Sequence, residues 1–258
     1  MDKFVNKIIC GDALKILKQI PNKSIDMVLS DPPFFIRRQI IIHRSMNPKK
    51  YKYVGKDIVL GGWSWDAQWD SEKEYLEWCK GWFGECVRVL REGGHFLCFF
   101  DRLKQWWLYE WGNSLGMITR QPLYWLISNP VPRARCVDFM GGVSSIFWAT
   151  KKTYSRKVAI FNYRLGQHRN YATSSLCQGK ERLKDKNGTI HPTQKPLVVI
   201  EWLLNYLSQP NELVLDPFVG VGSTAVACKR LNRRFIGIDS NHKYVSVARK
   251  RLTMPDCR

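Results

Sequence analysis

The sequence predicts an α/β fold with parallel strands whose carboxyl ends present the chemistry, and three observations carry that prediction. Ile25-Asp26-Met27-Val28-Leu29-Ser30 is a short apolar run that reads as a buried parallel strand, and it ends in Asp31-Pro32-Pro33-Phe34. Near the other end, residues Leu213 to Thr224 read as strand, glycine-containing loop and helix start. A helical pattern from Ala225 to Leu231 and a second strand, Arg234 to Asp239, follow that loop. The unit thereby places an acid at a strand end about twenty residues past the glycines, where a nucleotide ribose is usually held.

In chain order, residues 4–12 read as a strand running into Gly11-Asp12, and 13–20 as a short amphipathic helix closed by Pro21-Asn22. The strand ending at Asp31 presents a carboxylate at the sheet edge where open α/β folds bind ligands. Two prolines then stiffen the turn, and Phe34 offers a stacking face. An acceptor, a rigid turn and an aromatic ring together suit a planar base carrying an exocyclic amine. Residues 35–70 read as a basic loop over that edge, with Arg37, Arg38, Arg44, Lys49 and Lys50 placed for substrate phosphates. Helical spacing resumes over 72–91, where Tyr75, Trp78, Cys79, Trp82, Phe83 and Cys86 form a core-facing stripe.

A buried strand follows at 95–100, then a helix over 102–116 and strands at about 122–127 and 144–149. Between those strands lies Asn129-Pro130-Val131-Pro132-Arg133-Ala134-Arg135, a stiffened basic loop whose Arg133 and Arg135 are further candidates for DNA contact. Periodicity fades over 151–190, where basic residues, Arg164 and Arg169 among them, interleave with Tyr and Asn. That mixture suits phosphate positioning and base-edge contact, so the segment is expected to recognise the target sequence. His191-Pro192-Thr193-Gln194-Lys195-Pro196 opens a helix running to about Leu207. In the late loop, Gly220 and Gly222 permit close backbone approach, and Ser223 or Thr224 is expected to cap the helix.

Bulk properties narrow the function class. A chain of 258 residues, 45% hydrophobic, can bury one substantial core, and a single domain is expected. No apolar run approaches a membrane span and Met1-Asp2-Lys3-Phe4 is not a signal peptide, so a cytoplasmic location is expected. Eight cysteines are scattered without a Cys-x-x-Cys pair, which predicts reduced thiols and no structural metal. A net charge of +19 is more than solubility needs and points to a polyanionic partner.

Taken in order, Gly11-Asp12, Asp31 to Phe34, Asn129 to Pro132, His191 to Pro196, Asp216 to Gly222 and Ile238-Asp239 resemble the β-class of S-adenosylmethionine-dependent DNA amino-methyltransferases. In that class the Asp-Pro-Pro-aromatic motif comes early and the cofactor motifs come late. The resemblance implies a Rossmann-like, seven-stranded, mostly parallel sheet with helices on both faces and one reversed edge strand, plus a small target-recognition insertion. It implies S-adenosylmethionine as cofactor and double-stranded DNA as partner. Homodimers occur in the family, so a homodimer enters as an open expectation.

Carried over by position, Asp216, Pro217, Phe218, Gly220, Gly222, Ser223 and Thr224 would cradle the cofactor's amino-acid part. Asp239 would accept from its ribose, and Asp12 would bind its adenine. Thr193 and Lys195 would approach its carboxylate. Asp31, Pro32, Pro33 and Phe34 would form the catalytic turn, with Asp31 and the Pro32 carbonyl accepting from the target amine and Phe34 stacking on the base. Asp at the first motif position is commoner among N6-adenine enzymes and Ser among N4-cytosine enzymes, so adenine leads. Phe34 stands where Tyr is more usual and keeps the stacking face. Cytosine or RNA as substrate, and a catalytically silent nucleic-acid-binding relative, are the alternatives.

Overall fold

The computed structural model describes residues 1–36, 40–42, 58–60, 63–131, 139–153, 159–185 and 188–254. The strands are β1 (Lys7–Cys10), β2 (Ile25–Ser30), β3 (Ile40–Ile42), β4 (Ile58–Leu60), β5 (Leu90–Phe99), β6 (Met117–Thr119), β7 (Leu123–Ile127), β8 (Val143–Lys151), β9 (Tyr171–Ser174), β10 (Lys184–Asp185), β11 (Gly188–Thr189), β12 (Leu213–Asp216) and β13 (Arg234–Asp239). The helices are α1 (Ala13–Leu17), α2 (Glu72–Val89), α3 (Gln105–Ser114), α4 (Leu197–Leu207), α5 (Ser223–Arg230) and α6 (His242–Thr253).

One nine-stranded sheet runs β1-β13-β12-β2-β5-β8-β7-β9, with β6 also paired to β8. From β1 to β5 all neighbours are parallel. The α/β class therefore holds, with two differences of detail. The short strands β6 and β9 bring the count to nine. The reversed strand, β8, lies inside the sheet, antiparallel to β5 on one side and to β6 and β7 on the other, rather than at its edge. The edge is instead β9, which pairs parallel to β7 with Tyr124 opposite Tyr171. Irregular composition concealed this strand, because it draws its stability from pairing with β7 more than from its own propensity.

Alternation along the central strands divides the core in two. Leu213, Leu215, Ile236 and Ile238 pack on one face with α1, α2 and α3. Val214 and Phe235 pack on the other with α4, α5 and α6. Helix α2 starts at Ser71, whose hydroxyl accepts from the Glu74 amide at 3.2 Å, and it buries Tyr75, Cys79, Trp82, Phe83 and Cys86 against the sheet. Residues Arg91 to Gly94 do not break away after α2 but already belong to β5. Position 94 calls for glycine, because a Cβ would come 2.8 Å from the Asp26 carbonyl oxygen.

Two further pairs stand outside the main sheet. Strands β3 and β4 form an antiparallel ladder inside the stretch expected to be a loop, and β10 pairs with β11. Between residues 159 and 185 the chain is tied down: the Asn162 side chain donates to the carbonyls of Asn205 and Ser208 at the end of α4. No helix among the described residues is long and apolar enough to cross a membrane.

Candidate active site

Strand order reverses between β2 and β12. From β2 the chain crosses to β5 on one side, and from β12 it crosses through α5 to β13 on the other. The carboxyl ends of these strands diverge into a crevice there, the usual ligand position in open α/β sheets. A cavity of about 490 Å³ fills it. Its wall collects Asp12 after β1, Asp31 to Phe34 after β2, Asp216 to Val221 after β12, and Asp239 to Asn241 after β13. Thr193 and Lys195, preceding α4, close another side, with Ser223 and Thr224 from the start of α5. Residues separated by most of the chain's length are thus brought to one place.

Asp12, Asp216 and Asp239 each hold a local backbone feature. Asp12 caps α1 by accepting from the Lys15 amide at 2.9 Å. Asp216 accepts from the Phe218 amide at 3.0 Å and from the Thr224 hydroxyl at 2.6 Å. Asp239 accepts from the amides of Gly220 and Asn241, at 2.9 and 2.8 Å. The Gly220 contact ties the end of β13 to the glycine loop. Ser223 and Thr224 do not cap α5, as they were expected to. Gly222 occupies the cap position at φ 87°, the Ser223 hydroxyl donates to the Lys195 carbonyl, and Thr224 is spent on Asp216. Gly222 lies behind the cavity wall, where a Cβ would come 2.9 Å from that of Ala248. Gly220, at φ 51°, faces the cavity, with the His191 ring 3.1 Å from the place a Cβ would take.

The electrostatics are unusual for a cationic protein. Burial pushes the Asp216 carboxyl up to about 7, only partly offset by Thr224 and Phe218, with Asp31 and Asp239 adding repulsion. Burial also raises Asp239, against the two amides it binds. Asp31 is raised by burial too, while the Lys195 ammonium beside it pulls the other way. Lys195 donates directly to Asp31 Oδ2. This contact was not anticipated, since Lys195 had been read as facing a cofactor carboxylate. Oδ1 of Asp31 takes no donor among the described residues.

Phe34 is half-buried rather than exposed, edge-on to Phe100 with ring centroids 6.3 Å apart. Phe218 also packs, 5.4 Å from Trp78 and 5.2 Å from Trp82, so it is both wall and core. An aromatic stack closes the rim of the cavity. Trp63 lies parallel to Trp65, Trp65 lies over His191, and His191 meets Tyr244. Burial and the nearby Lys195 and Arg182 depress His191 to about 3, so the ring is neutral, and its Nδ1 has no partner among the described residues. Trp63, Trp65, Asp66 and Tyr244 were not singled out from sequence. The signal available for Asp66 was an acid directly following a tryptophan, shared with Asp70 four residues on.

Of the expected DNA contacts, Arg37, Arg38, Arg44, Lys49, Lys50, Arg133 and Arg135 lie outside the described residues. Arg164 and Arg169 are exposed beside β9, and Arg169 donates to the Tyr171 hydroxyl at 2.7 Å. No group of three or more His, Cys, Asp or Glu side chains among the described residues is placed to hold a metal ion.

A profile of the N6/N4 DNA methylases matches residues 25–250, a span that includes every strand from β2 to β13. The chain belongs to this DNA methylase family. The methylase is 32% identical, over a 272-residue alignment, to the Type II methyltransferase M.HinfI of Haemophilus influenzae, covering 98% of this chain and 69% of that one. It is 30% identical over 255 residues to the Type II methyltransferase M2.LlaDCHI of Lactococcus lactis subsp. cremoris, covering 95% and 88%. Among solved structures, the M1.HpyAVI–SAM complex superposes with a TM-score of 0.70 at 24% identity, over 96% of this chain and 99% of that one. The cytosine-N4-specific PvuII DNA methyltransferase superposes with a TM-score of 0.73 at 19% identity, over 96% and 86%. At those identities the two structures establish the shared fold.

Proposed function

We propose that this methylase transfers a methyl group from S-adenosylmethionine to the exocyclic N6 amine of an adenine turned out of duplex DNA. The observation that carries the reading is Asp31, which lines the cavity at the switch point of the sheet with Oδ2 on Lys195 and Oδ1 without a donor among the described residues.

The cavity suits the cofactor by size and charge. A volume of about 490 Å³ lies within the usual small-molecule range. Three carboxylates line it, Asp216 buried and Asp31 and Asp239 half-buried; burial raises the proton affinity of all three, and one lysine, Lys195, offsets only Asp31. A ligand carrying ammonium and sulfonium groups would supply positive charge, with the Phe218 ring adding an aromatic face. On this reading Asp239 holds the ribose, Asp12 the adenine moiety, and the Asp216 to Gly220 loop with Thr193 the amino-acid end. S-adenosylmethionine, when bound, would supply a methyl group activated on its sulfonium sulfur, with a neutral thioether as leaving group and one proton passing from the methylated amine to solvent.

The chain's own residues address the weakness of the nucleophile, an amine whose lone pair is delocalised into the base. Asp31 Oδ1 and the Pro32 carbonyl accept from the amine and favour its pyramidal form. The same acceptors stabilise positive charge as it develops on nitrogen. Pro33 and Phe34 cannot move aside, because their carbonyls accept from the Tyr75 hydroxyl at 2.8 Å and the Lys104 ammonium at 3.4 Å. Holding the acceptors still supplies rate through positioning. Lys195 opposes the rise that burial imposes on Asp31 and so favours its ionised, accepting form. The amine is out of reach inside a duplex, so the nucleotide leaves the stack, with Phe34 against its ring. Arg164 and Arg169 then contact phosphates from the β9 edge.

Nucleoside mass spectrometry of mixed-sequence duplex DNA incubated with the protein and S-adenosylmethionine tests this. N6-methyladenine is the expected product. N4-methylcytosine would overturn the base assignment, and methylation of RNA alone would overturn the substrate.

A further inference from the structure

The turn that carries Asp31 has a backbone problem that one distant residue solves. Pro32 and Pro33 have no N–H, and the next three residues leave β2 without entering another element. Phe35 sits at φ 61°, a left-handed conformation that a bulky aromatic residue adopts only when its surroundings impose it. The amides of Phe34, Phe35 and Ile36 therefore need acceptors that regular structure does not provide. All three find them on Asp66. Its Oδ1 accepts from Phe34 at 2.6 Å and Phe35 at 2.8 Å, and its Oδ2 accepts from Ile36 at 2.8 Å.

Asp66 is 1% exposed and sits in a short helical turn between Trp65 and Trp69. An ionised carboxylate accepts only, and this one spends both oxygens on the turn. Packing fixes the turn from behind: Phe35 stacks on Tyr75 at 5.2 Å and meets Trp69 edge-on at 6.1 Å.

We infer that Asp66 is a positioning residue for methyl transfer, gripping the backbone of residues 34–36 so that Asp31 and the Pro32 carbonyl face the target amine in fixed register. The inference rests on Asp31 as the amine acceptor. Burial raises the Asp66 carboxyl, while the three amides and the Lys104 charge oppose that rise. Replacement by Asn would turn one acceptor into a donor facing an amide, and the turn would open without any change at the cofactor loop.

The test uses the full-length protein in single-turnover methyl transfer, with S-adenosylmethionine affinity measured separately by calorimetry. Asp66→Asn is expected to lower the transfer rate at least tenfold with cofactor affinity within about threefold. In a double-mutant cycle with Asp31→Asn, the second substitution is expected to add less than threefold, because Asp66 acts through Asp31. Additive losses, or a cofactor affinity falling in step with the rate, would make Asp66 a general structural residue and overturn the inference. If Asp66→Asn does not fold, Asp66→Glu keeps the charge, moves it by one methylene and carries the same readouts. A slow Asp31→Asn beside an Asp66→Asn at parental rate defeats only this inference, whereas Asp31→Asn at parental rate defeats the acceptor reading as well.

Discussion

Asp216→Asn should make the protein more stable at neutral and alkaline pH, by an amount the structure allows one to work out. Asp216 is 5% exposed, and its carboxyl is pushed from the ordinary 3.8 up to about 7. Between those values the folded protein keeps a proton that the unfolded chain has released, so stability falls as pH climbs from about 4 to about 7. The gap corresponds to a penalty on the order of 4 kcal/mol once pH exceeds 7, at roughly 1.4 kcal/mol per pH unit. Asparagine removes the titration and keeps the shape. Its oxygen still accepts from the Phe218 amide, and the Thr224 hydroxyl can rotate to accept instead of donate.

Urea unfolding of parent and variant at pH 5 and pH 8 is the assay. The readout is the difference between the two proteins, because buried His95 and His191, depressed to about 4 and about 3, pull both curves the other way below pH 6.5. The variant's advantage should grow by about 2–3 kcal/mol between the two pH values, because part of the penalty is already present at pH 5. An advantage that stays constant, or a variant less stable at pH 8, would refute the claim that an uncompensated buried carboxylate waits in the cavity.

Two predictions follow from the same electrostatics. A cationic ligand favours ionised Asp216, so S-adenosylmethionine binding should tighten as pH rises from 5.5 to 7 and should release protons at pH 6.5. Calorimetry in buffers of different ionisation heat reads this, and proton uptake would contradict it. Lys195→Met removes the charge that holds Asp31 down, so the acid limb of the pH–rate profile at saturating cofactor should move to higher pH. An unmoved limb would take Asp31 out of that titration.

Much of the site was legible because its motifs sit at strand ends, where a short apolar run stops at an acid. Asp31, Asp216 and Asp239 each follow such a run, and the sheet brings all three to one cavity. What escaped were partners that only tertiary structure pairs. Lys195 meets Asp31 across 164 positions, and Asp66 meets Phe34 across 32, from within a stretch whose many basic residues suggested only a loop. The interior position of β8 was equally hidden, since local sequence records that a strand is buried but not which strands flank it. Ser223 and Thr224 illustrate the opposite error. Their types suit a helix cap, but Gly222 already turns the chain, and the two hydroxyls serve Lys195 and Asp216.

The most direct test of the account compares parent and Asp31→Ala for transfer of a labelled methyl group to duplex DNA, with S-adenosylmethionine affinity measured on the same samples. The account predicts loss of transfer by at least a thousandfold with cofactor affinity within a few-fold, because an acceptor acting on the nucleophile contributes to the rate and little to cofactor binding. Transfer within tenfold of the parent, or an affinity that collapses together with the rate, would contradict it.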